Sequence, residues 1–350
     1  MKVINCVKIG SLVDPDPEKR GVVEVLDQPI KELGPHDLLI KVAYCGICGS
    51  DPHMIEGIFQ RPTPMGIGHE ISGVIVDKGS EANINGFEIG DRVAGNFRNV
   101  CGTCYYCTNG MEQFCESSGV PQPGMAEYLV WHEKQAVKLP DDVSLKIGSL
   151  LEPVSIAVRA IDKAQIQFGQ NVLISGGGPI GLLTLQAASM YGAANLTLLE
   201  PNPQRRELGL KYGAKYVFDP TKDDVQAEME KITNGRGYDV LFEVSGVGGA
   251  ANSMAGLASK MARIVYVAQY SRDFNLQVDA YDKFYHKEMD MTGILVSPYT
   301  FTRTAQIISR FDLEAFTNKV FYIDDAKEAF DTHMTGEYPK VLIKCNSDLE

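Results

Sequence analysis

The chain has 350 residues, 44% of them hydrophobic and 22% charged, with a formal net charge of -12. These are ordinary values for a folded globular chain of about two domains. They exclude a disordered, collagen-like or membrane-spanning polypeptide, and the acidic balance argues against nucleic acid or an anionic lipid surface as main partner. No apolar run reaches the roughly 18 residues of a membrane helix. The start Met1-Lys2-Val3-Ile4 does not read as a secretory signal, so a cytoplasmic location is expected.

Up to about residue 140, Gly and Pro punctuate short alternating runs. In residues 37–42, Leu38, Ile40 and Val42 share one face, the period of a half-buried strand. Residues 69–76 and 91–94 repeat the pattern, which predicts an irregular, strand-rich domain. Helical spacing begins at residues 154–164. Strands are then predicted at 171–175, 196–200, 216–219, 240–244, 264–268 and 292–296, with helices between them at 182–191, 203–212 and 225–233. Alternating strands and helices predict a doubly wound parallel sheet, because each parallel pair needs a crossover. After about residue 297 come one or two helices and a strand at 340–344, read as returning to the first domain. The fold class is therefore α/β, with one domain from residues 1–153 and 298–350 and the other from 154–297.

Within the second domain, Gly176-Gly177-Gly178-Pro179-Ile180-Gly181 directly follows a predicted strand and opens a helix. Gly176 permits a tight turn, Gly178 lets the backbone approach a pyrophosphate, and Gly181 lets helix and strand pack closely. Pro179 and Ile180 start the helix whose N-terminus attracts the phosphates. At the end of the next predicted strand stands Glu200, placed to accept hydrogen bonds from ribose hydroxyls and to repel a 2′-phosphate. NAD is the expected cofactor, with Arg205 on its adenosine half; a nearby Arg205 or Arg206 is also what a 2′-phosphate would require. The competing use is a structural glycine turn followed by a surface Glu.

Eight cysteines without an export signal read as reduced thiols or metal ligands. Cys101, Cys104, Cys107 and Cys115 crowd into one segment, suited to a closed tetrahedral zinc site that shapes a stretch poor in apolar residues. An iron–sulfur cluster or two disulfides are the rival uses. A second, dispersed set is Cys48, His69 with Glu70, and Glu152. A thiolate, an imidazole and a carboxylate leave a zinc position open for water or substrate. By residue type alone, His69 also fits a satisfied core histidine and Glu152 a helix N-terminal charge.

Taken together, Cys45-Gly-Ile-Cys-Gly-Ser-Asp51, Gly68-His-Glu70, the four-cysteine segment, Leu151-Glu-Pro-Val-Ser155 and the glycine turn resemble the zinc-dependent medium-chain alcohol dehydrogenase family. The resemblance implies a GroES-like, strand-rich catalytic domain beside a Rossmann domain, with one catalytic and one structural zinc. It makes Cys48 and His69 zinc ligands, puts Glu70 and Glu152 at the metal, and leaves Cys45 as packing. It also makes Ser50 the hydroxyl that takes the alcohol proton, His53 the outer end of that relay, and Asp51 a partner orienting His69. Glu152, where liver-type enzymes carry Cys, points to the polyol, butanediol and threonine dehydrogenase branch. The implied activity interconverts a secondary alcohol or polyol and its ketone, in a homodimer or homotetramer. Residues 293–299 lack the signature of animal sorbitol dehydrogenases, which argues against sorbitol itself. A zinc-free quinone or enoyl reductase and a noncatalytic NAD-binding protein are the remaining readings.

Overall fold

In the computed structural model, which describes residues 1–350, strand Asp37–Gly46 is paired along both edges. Glu70–Lys78 runs antiparallel on one side; Tyr128–His132 and then Val341–Lys344 do so on the other. The strand is longer than the 37–42 expected, because residues 42–46 are all buried and covered on both faces, so no alternation marks them. Lys319–Tyr322, Arg92–Gly95 and Ala136–Lys138 complete a seven-stranded sheet. A smaller sheet joins Lys2–Lys8 to Val22–Asp27 and Met65–Gly66. Ile4, Ile40, Ile71, Trp131, Phe330 and Ile343 meet in the core between these elements. Each such side chain contributes about 1.5–3 kcal/mol of burial. Met1–Glu152 and Phe301–Glu350 form this unit.

Pro153–Thr300 forms the second unit. Its six strands are all parallel, in the order Tyr216–Phe218, Asn195–Leu199, Asn171–Ser175, Tyr238–Glu243, Ala258–Tyr266, Asp290–Gly293. Asn171–Ser175 is buried at every position, as an apolar run beneath helices requires. The order reverses beside it, and in such sheets a ligand lies at the C-terminal ends of the strands flanking that reversal. Helix Val225–Thr233 occupies the expected residues, held at its start by the Asp224 carboxylate accepting from the Ala227 N–H at 3.0 Å.

Three expectations need correction. The helix after the glycine turn is Pro179–Ser189, starting three residues before the 182–191 expected. The fifth strand begins at Ala258 instead of 264, where the preceding helix runs straight into it and Ala258 and Ser259 are already buried. The sixth is Asp290–Gly293 instead of 292–296: its parallel pairing with the fifth strand ends at Tyr266 opposite Gly293, Leu295 beyond it is exposed, and Val296 at φ +46° turns the chain away.

Candidate active site

In the first unit, Cys48 lies between strand Asp37–Gly46 and the short helix Ser50–Ile55, and Glu70 opens strand Glu70–Lys78. His69 precedes that strand, behind Gly68 at φ +91°. A side chain at Gly68 would stand 2.8 Å from the Met125 nitrogen and 3.0 Å from Cys45 Sγ, so only glycine lets the chain pass. The donor atoms of Cys48, His69 and Glu70 all lie within 4.8 Å of one another. Glu152 opens helix Leu151–Ala164, buried but outside that set.

Asp51 is fully buried and braces the cluster. Its Oδ2 accepts from the Cys48 N–H at 2.8 Å, and its Oδ1 faces His69 Nδ1 at 3.7 Å. Burial draws the imidazole toward neutrality, but the Cys48 sulfur and the Asp51 and Glu152 carboxylates outweigh it, leaving His69 well above its usual range. Burial pushes the Glu152 carboxyl up to about 7, against the pull of His69. Cys45 is wholly buried and desolvation drives its thiol well upward, as befits a packing residue.

Sequence reasoning missed Lys340. It is buried, and its Nζ donates to Glu70 Oε1 at 2.7 Å and to the Ile47 carbonyl at 3.1 Å. Its only signal was a lone charge heading the apolar run 341–343. Phe97 was missed as well, its ring packing on His69 at 4.9 Å. With one oxygen clamped by Lys340, Glu70 Oε2 remains buried without a hydrogen-bond partner. A bare carboxylate oxygen beside a thiol and an imidazole is costly alone and is relieved by a cation. The sulfur, nitrogen and oxygen donors fit zinc.

Ser50 and His53 lie three apart on helix Ser50–Ile55, hence on one helical face. His53 is 44% exposed, with Nδ1 3.4 Å from Glu56 Oε2.

The second metal set lies within the loop that follows Arg92–Gly95. Cys101, Cys104, Cys107 and Cys115 bring their sulfurs within 4.8 Å of one another. N–H groups of Thr103 and Cys104 point at Cys101 Sγ from 3.4 and 3.3 Å, and with them the thiol drops to about 6. Burial pushes the Cys107 thiol up to about 12, so a metal would have to displace its proton, but four sulfurs gathered this closely fit a closed tetrahedral zinc.

In the second unit, Gly176 turns the chain after Asn171–Ser175, and Gly181 passes so close that a Cβ there would lie 1.9 Å from the Gly176 carbonyl oxygen. Gly178 caps helix Pro179–Ser189, with Pro179 and Ile180 in its first turn. Glu200, just past Asn195–Leu199, is buried; its Oε2 accepts from the Gly177 N–H at 2.6 Å and its Oε1 from the Asn202 N–H at 2.8 Å. Arg206 donates to the Glu200 and Pro201 carbonyls at 2.6 and 2.7 Å, while Arg205 sits half-buried in the same helix. A cleft of about 550 Å³ opens at these strand ends, lined by Ser175, Leu199, Pro220, Thr221, Val225 and Val247 among others. No helix of the protein is long and apolar enough to cross a membrane.

Comparison with known proteins agrees with both halves of this geometry. Residues 34–141 match the alcohol dehydrogenase GroES-like domain, and residues 179–310 match the zinc-binding dehydrogenase family. The chain is 34% identical over 328 residues to an L-threonine 3-dehydrogenase of Alteromonas mediterranea, covering 91% of this chain and 94% of that one. It is 35% identical over 324 residues to a 2-dehydro-3-deoxy-L-galactonate 5-dehydrogenase of Pseudoalteromonas atlantica, covering 89% and 92%. The crystal structure of 2R,3R-butanediol dehydrogenase from Bacillus subtilis superposes with a TM-score of 0.82 at 26% identity, over 98% of this chain and 100% of that one.

Proposed function

The chain belongs to the zinc-containing medium-chain alcohol dehydrogenase family, and from that premise we propose that it interconverts a secondary alcohol or polyol and its ketone using NAD. The family makes it a zinc-dependent NAD(P) dehydrogenase acting on CH–OH groups. The observation that carries the finer reading is the Cys48, His69 and Glu70 donor set around an unpartnered carboxylate oxygen.

When bound, zinc supplies Lewis acidity toward a substrate oxygen and NAD accepts the hydride. Cys48, His69 and Glu70 hold the metal, with Glu152 beside them. Lys340 fixes one oxygen of Glu70 and leaves the other for the ion. Asp51, facing Nδ1 of His69 at 3.7 Å, would fix the orientation of the ring that holds the metal. Ser50 takes the alcohol proton, and half-exposed His53 delivers it to solvent. Cys101, Cys104, Cys107 and Cys115 hold the structural zinc.

For the cofactor, Glu200 lies against the glycine turn, and the Arg206 guanidinium already serves backbone carbonyls. With NADP, a phosphate would face the Glu200 carboxylate in a partly dry cleft, while the ribose hydrogen bonds are lost. That favours NAD by about 2–4 kcal/mol, or about thirty- to a thousandfold. Arg205 contacts the adenosine half. Glu200→Ala weakens NAD and admits NADP in part. Equal kcat/KM for both cofactors on the unmodified enzyme would overturn this.

Glu152, in the position that marks the polyol, butanediol and threonine dehydrogenase branch, supports a secondary alcohol, read first as a neutral polyol or diol. A second reading, a substrate bearing a carboxylate as L-threonine does, is favoured by Arg98. Its guanidinium meets no carboxylate, only Ser118 Oγ at 3.3 Å, and it follows Phe97, which packs on His69. Polyols, 2,3-butanediol and hydroxy-amino acids, assayed with NAD and NADP, decide between them. Highest kcat/KM on neutral diols supports the first reading. A selective loss on carboxylates in Arg98→Ala supports the second, and no turnover by zinc-loaded enzyme sinks both.

We also propose a homodimer or homotetramer formed along Asp290–Gly293, an edge strand next to exposed Tyr281, Tyr285 and Leu295 that would be hazardous if bare. Light scattering at micromolar concentration giving one subunit mass would defeat it. Ligand thiols that must stay reduced favour a cytoplasmic location.

A further inference from the structure

Glu243 ends the fourth strand of the parallel sheet, fully buried. Its partners are not cations. Oε1 accepts from the Ser245 N–H at 3.0 Å and from the Ser245 hydroxyl; Oε2 accepts from the Tyr270 hydroxyl. Its backbone carbonyl accepts the Val267 and Ala268 N–H groups at 2.9 and 3.3 Å. One residue thus ties the turn after the fourth strand to the loop after the fifth.

That loop is seated further along its length. Tyr270 stacks on Phe274 with ring centroids 5.1 Å apart. Phe274 in turn lies over Gly248, where a Cβ would stand 2.7 Å from the ring. The Gln277 N–H then reaches Asn252 Oδ1 at 2.9 Å. The Ser245 turn also backs the glycine turn, since a Cβ on Gly176 would lie 2.8 Å from Ser245 Cα. Burial keeps the Tyr270 hydroxyl protonated, so it stays a donor.

A carboxylate in a dry interior is costly unless its lone pairs are filled, and apolar packing would brace a loop more cheaply. This one sits at the C-terminal end of a strand flanking the reversal, where a dinucleotide lies. Leu199, Pro220 and Thr221 line one wall of the cleft, which suits adenosine, while Val247, Gly249 and Ala250, just past the Glu243 turn, line the other, so that turn borders the cleft where the rest of the dinucleotide continues. We propose that Glu243, acting through Tyr270, is a positioning residue that fixes the loop after the fifth strand as the bed for the nicotinamide half of the cofactor. This rests on the NAD reading above.

The test is calorimetric binding of NADH, ADP-ribose and AMP to the zinc-loaded chain and to Tyr270→Phe and Glu243→Gln. Tyr270→Phe should weaken NADH about tenfold and leave ADP-ribose and AMP within twofold. Glu243→Gln, which can still accept from Ser245 and pair with Tyr270, should stay within about threefold for NADH. Equal weakening of NADH and ADP-ribose would indicate general loosening and overturn the inference, as would unchanged NADH binding in Tyr270→Phe. A wild-type chain that binds none of the three ligands would instead bring down the NAD reading, and the inference with it.

Discussion

Cys101, Cys104, Cys107 and Cys115 come from one fifteen-residue stretch, whereas Cys48, His69 and Glu70 come from separate elements, and the cation facing Glu70 lies 270 residues away. The surroundings differ as much as the spacing. Around the four-cysteine set, Tyr105 is 67% and Val120 74% exposed, so little apolar burial orders the loop. Around Cys48, the residues Cys45, Ile47, Asp51 and Glu70 are all fully buried. In the first region the metal replaces a core; in the second the core prepares a place for the metal. A ligand lost from the first should cost local order, and one lost from the second should cost chemistry.

The largest effect is expected at Cys48. Cys48→Ser replaces a soft thiolate with a poor zinc donor, but the backbone bond to Asp51 survives. Turnover should fall by about 10⁴-fold in kcat/KM, on the order of 5–6 kcal/mol, while the melting temperature stays within a few degrees. Activity within tenfold of normal would erase the contrast between the regions. Next comes Lys340→Met, which strands the Glu70 carboxylate in the interior. Removing one partner of a buried pair costs about 3–5 kcal/mol, whereas neutralising both is far milder. Denaturant unfolding should therefore show a large loss in Lys340→Met and recovery of most of it when Glu70→Gln is added. A single-variant loss under about 1 kcal/mol would mean the pair does not hold the cluster together.

This contrast also explains what the sequence revealed. The glycine turn and the four cysteines were legible because each residue's partners lie within a few positions, so spacing alone carries the geometry. Cys48, His69 and Glu152 were ambiguous by residue type and became specific only through family resemblance; the structure then put Glu70, not Glu152, in the tight donor set. Lys340 read as the first residue of a strand, and Glu243 as the last but one. Nothing local distinguishes a buried charge from a solvated one when its partner is Glu70 or Tyr270, far along the chain. The misplaced strand edges have the same origin. Ala258-Ser-Lys-Met-Ala262 shows no alternation, because it spans a register break: Ala258 pairs with Tyr238 of the neighbouring strand, and pairing resumes only at Arg263, past Met261 at φ +57°.

The smallest effect on catalysis is expected from Cys104→Ser, and it tests the other arm of the comparison. Three sulfurs remain, so the set can no longer close around a tetrahedral ion, and zinc content should fall from two ions per chain to one. What would still order the loop is slight: Tyr106 on Phe114 at 5.9 Å, and the long Arg98–Ser118 bond at 3.3 Å. The loop should open locally without unfolding the unit, because the seven-stranded sheet and its core do not depend on it. Stability should drop by only about 1–2 kcal/mol, and limited proteolysis should cut within residues 101–115, where the parent chain resists. The kcat of the uncut protein should stay within twofold, since Cys48, His69, Glu70 and Lys340 are untouched. A hundredfold loss of kcat with the second zinc still bound would show that the loop shapes the catalytic cluster after all, and that the two regions are one cooperative unit.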